Sequence, residues 1–182
     1  MKIKIGVMGS SEIPKDKILI QKAREVGREI ARHNCILVNG ATTGMPNEAA
    51  IGAREEDGFV LGISPAKDLK EHRIKYKLPY KPYDSIIFTG FGYNLRNILN
   101  IRTSDALVFI RGSLGTLNEF TIAYEDGKII GVLEKMGGVS QFFDELIEIT
   151  KKHTNATIVH DPDPKKLVRK LVALVKKRNS RK

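Results

Sequence analysis

A chain of 182 residues with 41% apolar residues has the length and composition of one soluble globular domain, long enough to bury a two- or three-layer core. The net charge of +10 is not accompanied by an 18-residue apolar run that could span a membrane, and the first eight residues are broken by lysine too soon for a secretory signal. A single cysteine excludes an internal disulfide, so the expected location is the cytoplasm.

Short apolar runs at 3–8, 35–39, 59–63, 85–89, 106–110, 129–133 and 157–159 read as strands. Helical patterns at 17–33, 47–57, 95–103, 117–125, 139–151 and 164–177 alternate with them. The runs are rich in Ile and Val and apolar on both faces, as strands of a buried parallel sheet are. Strict β-then-α order predicts an α/β fold, a doubly wound, mostly parallel sheet of about seven strands with helices on both faces. Only residues 64–84, with Pro65, Pro79 and Pro82, read as an irregular connection. Cys35, beside Ile36, Leu37 and Val38, is expected as a small buried strand residue.

The chain's basicity is local. Residues 165–182 hold nine of the 31 basic residues and no acid, which leaves 22 basic against 21 acidic residues elsewhere. Leu167, Val168, Leu171, Val172, Leu174 and Val175 follow helical spacing, so the segment reads as a last helix docked by its apolar face, over 164–178. A near-neutral body argues against a nucleic-acid partner.

In a doubly wound sheet, ligands bind beyond the carboxyl ends of the strands, where the strand order reverses. That rule brings four small-residue loops into one crevice, 9–15, 40–46, 90–94 and 111–115. In the first, Gly9, Ser10 and Ser11 either contact a ribose or phosphate or simply turn the chain. In the second, Gly40 and Gly44 permit tight backbone, and Thr42 and Thr43 offer hydroxyls. No G-x-G-x-x-G dinucleotide fingerprint and no P-loop G-K-[ST] is present, which disfavours NAD chemistry and ATP hydrolysis. His33, His72, His153 and His160 lack ligand spacing, so no metal and no cofactor is expected.

The run Arg111-Gly112-Ser113-Leu114-Gly115-Thr116-Leu117-Asn118-Glu119 carries the most information. Small residues between a strand and a helix leave backbone N–H groups free to face an anion. Glu119 either acts on what the loop holds or closes a capping box, because Thr116-Leu117-Asn118-Glu119 fits [ST]-x-x-E. Arg96 falls in the first turn after the 90–94 loop, where a guanidinium suits phosphate or carboxylate, whereas Arg102 lies two turns further on and reads as structural.

These elements resemble the Rossmann-like LOG superfamily, named for the LONELY GUY phosphoribohydrolases and often mislabelled lysine decarboxylases. Its P-G-G-x-G-T-x-x-E motif matches residues 111–119, and its helix bearing R-K or R-N matches Arg96-Asn97. The Gly40–Gly44 loop resembles its second glycine loop, G-G-G-x-x-G-x-M, and Gly9-Ser10-Ser11 resembles its first turn; the likeness extends over most of 1–135. The resemblance implies a nucleotide-binding domain covering 1–182, with Glu119 and Arg96 as the catalytic pair that releases a base from a nucleoside 5'-monophosphate. Glu119 would stabilise an oxocarbenium-like state. Gly112, Ser113, Leu114, Gly115 and Thr116 would hold the phosphate, and Asn97, Thr42, Thr43 and Ser10 would line the pocket. It also implies a homodimer or larger assembly. Arg111 and Ser113 replace the family's Pro and second Gly, and Asn39 and Ala41 replace two glycines of the other loop. The alternative is a non-catalytic carrier of a phosphorylated ligand such as a nucleotide or the molybdenum cofactor.

Overall fold

A computed structural model describes residues 1–180, so Arg181 and Lys182 of the basic tail lie outside the described residues. Seven parallel strands form one sheet: β1 (Lys4–Gly9), β2 (Ile36–Asn39), β3 (Val60–Ser64), β4 (Ser85–Phe88), β5 (Ala106–Ile110), β6 (Ile129–Leu133) and β7 (Thr157–Asp161). They lie in the order β4-β3-β2-β1-β5-β6-β7. The order runs outward in one direction from β1 and then restarts from β5, so the β1/β5 boundary is the switch point. Six helices cover the sheet: α1 (Lys17–Arg32), α2 (Met45–Arg54), α3 (Gly92–Thr103), α4 (Leu114–Glu125), α5 (Phe143–Thr150) and α6 (Pro164–Asn179).

Two apolar cores follow from strand alternation. Ala106, Val108 and Ile110 of β5 face one core with Ile5, Val7, Val26 and Ile30, closed by Leu167, Val168 and Leu171 of α6. Leu107 and Phe109 face the other core with Ile101, Phe120 and Phe143. There Phe120 and Phe143 stack at 3.7 Å between ring centroids, and Phe109 meets Phe143 edge-on at 5.4 Å. A strand buried on both faces is what the continuous apolar run of β5 required.

The basic C-terminal segment docks as a helix by its apolar stripe. Part of its charge is answered locally, by Lys170 on Asp161 at 2.8 Å and Lys165 near Glu25 at 3.6 Å. Cys35 is buried immediately before β2. No helix of the described residues is long and apolar enough to cross a membrane.

Three helix starts differ from the sequence expectation, the helix expected to reach 57 ends at Arg54, and one expected helix divides. The helices expected from 47, 95 and 117 begin at Met45, Gly92 and Leu114, because the residues at their starts enter the first turn by backbone geometry without extending the apolar period that marks the rest of each helix. The pattern over 139–151 splits into a 3₁₀ turn, Val139–Phe142, and α5. The split arises from docking: the N–H groups of Val139 and Ser140 donate to the carbonyls of Gly112 and Arg111 at 3.0 and 3.2 Å.

The irregular connection contains one π-helical turn, Glu71–Lys75. Its anchor is His72, fully buried, with Nδ1 2.8 Å from Ser64 Oγ and Nε2 2.9 Å from the Pro79 carbonyl. A carbonyl only accepts, so Nε2 carries the proton and Nδ1 accepts from the Ser64 hydroxyl. This histidine holds residues 76–80 against the carboxyl end of the sheet.

Candidate functional site

At the switch point a cleft of about 430 Å³ opens among the starts of α3 and α4 and the loops after β1 and β2. Its walls include Gly9, Ser11, Gly40, Thr42, Thr43, Arg96, Asn97, Ser113, Gly115, Thr116 and Glu119, all singled out by the sequence. Four predicted residues do not line it. Ser10 Oγ accepts from Glu12 N–H at 3.1 Å, so this serine turns the chain. Gly44 backs onto Ser10 and Ser11, Gly112 backs onto the Thr116 side chain, and Leu114 is 81% exposed.

The two glycine loops are joined. Met45 N–H donates to Ser10 O at 2.8 Å, and the Thr43 hydroxyl donates to Ser11 O at 2.9 Å. Gly44 makes this approach possible: its φ is +84°, and a Cβ there would enter the Ser10 carbonyl. Asn39, standing where the family has glycine, braces the loop from below. Its Oδ1 accepts from Ala41 N–H at 2.9 Å and its Nδ2 donates to Pro46 O at 2.8 Å.

Arg96 forms the floor. Its side chain enters from α3 and lies where a Cβ on Gly40 would stand. It is 5% exposed, its Nε is buried with no hydrogen-bond partner among the described residues, and burial lowers its pKa. Glu119, 7% exposed, holds Oε1 4.0 Å from Arg96 Nη1 and 3.4 Å from Asn100 Nδ2. Burial pushes its carboxyl up to about 7, against the opposing pull of Arg96 and Asn100. Asn100 Oδ1 is likewise buried and unpartnered among the described residues. A cation, an acid that titrates near neutrality and two unsatisfied polar atoms therefore meet beneath one opening.

The capping box does not form. Helix α4 starts at Leu114 with Ser113 as its cap residue, which puts Glu119 in the second turn, turned toward α3. The N–H groups of Leu114, Gly115 and Thr116 consequently fall in the first turn, where no intrahelical acceptor exists, and Gly115 and Thr116 line the cleft. An additional atom on Gly115 would meet nothing within 4 Å, so its backbone is open to the cleft.

Arg111 turns away from the cleft. It adopts φ +59°, which proline cannot reach, and donates from Nη1 to Met136 O at 2.7 Å. Arg102 pairs with Asp126 on the surface at 3.0 Å, the structural role expected of it.

Sequence reasoning missed Asn100, although it stands four residues after Arg96 and so on the same helix face. It also missed Tyr76, Lys77 and Leu78 from the π-turn connection, which line the cleft with Tyr93 and Asn94. Tyr76 and Tyr93 meet edge to face at 5.5 Å. No periodicity marked residues 76–78, whose position depends on the His72 anchor. Among the described residues no three His, Cys, Asp or Glu side chains gather as a metal-ligand set.

An all-parallel sheet of this order, with a charged cleft at its switch point, defines a LOG-like Rossmann-type α/β protein. The chain belongs to the SLOG cluster4 family, whose profile matches residues 2–168. It is 33% identical over 132 residues to an uncharacterized protein of Archaeoglobus fulgidus, covering 72% of this chain and 80% of that one. Among solved structures it is similar to the molybdenum cofactor binding protein of the phototrophic bacterium Rippkaea orientalis. That match has a TM-score of 0.78 and 25% identity over 96% of this chain and 98% of that one. It is also similar to the molybdenum cofactor carrier protein of Chlamydomonas reinhardtii, with a TM-score of 0.75 and 25% identity over 95% and 99% of the two chains.

Proposed function

We propose that this chain is a binding or carrier protein for a small phosphorylated ligand, of the kind represented by a nucleotide or the molybdenum cofactor. The observation that carries this reading is Arg96, a buried cation whose Nε lacks a partner at the base of a cleft faced by the first-turn amides of α4. An oxyanion placed there satisfies both, with charge-assisted hydrogen bonds from the guanidinium and dipole-oriented N–H groups. The similarity to a molybdenum cofactor carrier and a molybdenum cofactor binding protein supports carriage over chemistry. In the same reading the protein works as a homodimer or larger assembly in the cytoplasm.

The test is to identify by mass spectrometry what is released when the purified protein is denatured, and to titrate protein with AMP while following free base by chromatography. A phosphorylated compound released stoichiometrically, with AMP bound and unbroken, is the expected result. A second reading, phosphoribohydrolase action on a nucleoside 5'-monophosphate, is favoured by Glu119, whose carboxyl near 7 stands beside Arg96 and fits acid–base or charge-stabilising work. Release of free base and ribose 5-phosphate, abolished in Glu119→Gln, would replace the carrier reading with that one.

A further inference from the structure

Beside the cleft lies a second cavity of about 770 Å³, larger than the cleft itself. The two are continuous in their walls: Thr43, Lys77 and Leu78 line both. The second cavity differs in chemistry. Ile51 of α2 forms one side, and Leu78, Pro79, Tyr80 and Pro82 of the His72-anchored segment form the other. The Arg73 guanidinium sits 4.5 Å from the Tyr80 ring centroid and fixes the orientation of that ring.

Two of the four charged side chains on these walls are already engaged. Arg54 is held by Asp84 at 2.7 Å and by the Gly58 carbonyl at 3.0 Å. Glu55 is held by Arg28 at 2.6 Å and Arg24 at 3.6 Å. Lys77 and Lys81 have no ion-pair partner among the described residues, and Asn47 has its Oδ1 buried and without a hydrogen-bond partner among them. Two apolar sides, one carrying the Tyr80 ring, an unpaired carboxamide, two lysines at the border and rim, and a shared border with an anion cleft describe a compartment for a ring attached to an anionic group. An aliphatic chain would fill the volume but leave Asn47 unsatisfied.

We propose that this cavity is the ring compartment of the binding site, taking the planar heterocyclic part of a ligand whose phosphate rests in the cleft above Arg96. The inference rests on the phosphate-binding reading and adds to it where the rest of the ligand lies and what kind of group it is. Lys77, on the shared border, stands between the two parts, and Asn47 meets a polar edge of the ring.

Calorimetric titration with AMP, with GMP and with ring-free ribose 5-phosphate tests it. GMP is included because the 2-amino-6-oxo edge of guanine presents the same hydrogen-bonding groups as the 2-amino-4-oxo edge of a pterin. The wild-type protein should bind at least one of the two nucleotides about tenfold or more tighter than ribose 5-phosphate. Tyr80→Ala and Ile51→Arg should remove that advantage while leaving ribose 5-phosphate affinity within about twofold. Arg96→Met should weaken all three. Equal wild-type affinity for all three compounds overturns the ring compartment and leaves phosphate binding standing, as does an unchanged nucleotide advantage in both cavity variants. Uniform weakening of all three compounds by folded Tyr80→Ala also overturns it. Absence of wild-type binding to any of the three removes the phosphate reading and this proposal with it. Thermal melting of each variant establishes that it is folded, and Tyr80→Ala, a surface truncation, serves if Ile51→Arg does not fold.

Discussion

Two Arg–Glu pairs with nearly the same carboxylate burial serve opposite ends. Glu48, 6% exposed, receives Arg24 Nε at 2.7 Å, and around it Arg28 and Arg32 of α1 pair with Glu55 and Glu56 at the end of α2. Glu119, 7% exposed, has its arginine 4.0 Å away, with Arg96 Nε facing no partner. The first pair is closed and lies between two helices that pack on each other. The second is held apart beneath an opening. A buried charge kept from its nearest counter-ion destabilises the empty protein, and the same gap leaves hydrogen-bonding capacity for an incoming anion.

The largest expected effect that sharpens this contrast is on pH dependence. Glu119 has a folded-state pKa of about 7 against an ordinary value of 4.5. A raised carboxyl pKa means the folded protein holds the proton more firmly than the unfolded chain. The associated stability is therefore fully present below about pH 4.5 and is lost as pH rises through about 7, by about 3 kcal/mol. Glu119→Gln, which cannot ionise, should lack this loss. Denaturant unfolding of both proteins from pH 5 to 8 checks it, and parallel curves would break the contrast.

Next come the two arginines. Arg96→Met should weaken a phosphorylated ligand by about a hundredfold without lowering the melting temperature, because it removes a desolvated, poorly paired cation. Arg24→Ala should do the reverse. It leaves Glu48 buried beside a partly exposed partner site and lowers stability by about 2 kcal/mol, with ligand affinity unchanged. Titration and melting of both variants decide the matter; a shared outcome would mean that the two pairs do the same job.

A smaller loss, about 1–2 kcal/mol, is expected for Gly44→Ala, from its positive φ and the Ser10 carbonyl that a Cβ would meet. Its ligand affinity should fall too, since the joined loops carry Thr42 and Thr43. The smallest effect belongs to Lys152→Ala. Its pair with Glu125 is about half exposed on both sides, so unfolding should shift by less than about 0.5 kcal/mol.

Most of the frame was legible because buried parallel strands write continuous apolar runs. All seven expected strands are present, and α6 docks by the stripe its spacing announced. Helix starts were less legible, since Gly92 and Leu114 begin helices by backbone geometry rather than by apolar period. The same limit produced the capping-box alternative for Glu119. Spacing alone allowed it, and a helix beginning three residues earlier removed it. Gly112, Gly44 and Ser10 were placed in the cleft for their residue type, yet they shape the loops from behind the surface that a ligand would meet.

The sequence by itself determined the order of elements, the parallel sheet and the meeting of Arg96 and Glu119 at its switch point, because local periodicity and the handed crossover leave few other arrangements. The tertiary structure decided what that meeting amounts to. Whether an arginine and a glutamate close into a salt bridge or remain 4.0 Å apart depends on burial, on Asn100 beside them and on the Gly40 backbone beneath. It also decided that residues 76–82, unmarked by any period, reach the site at all. Their place is set by His72 clasping Ser64 and Pro79, contacts eight and seven residues away that follow no helical or strand period and form only once the connection folds onto the end of the sheet.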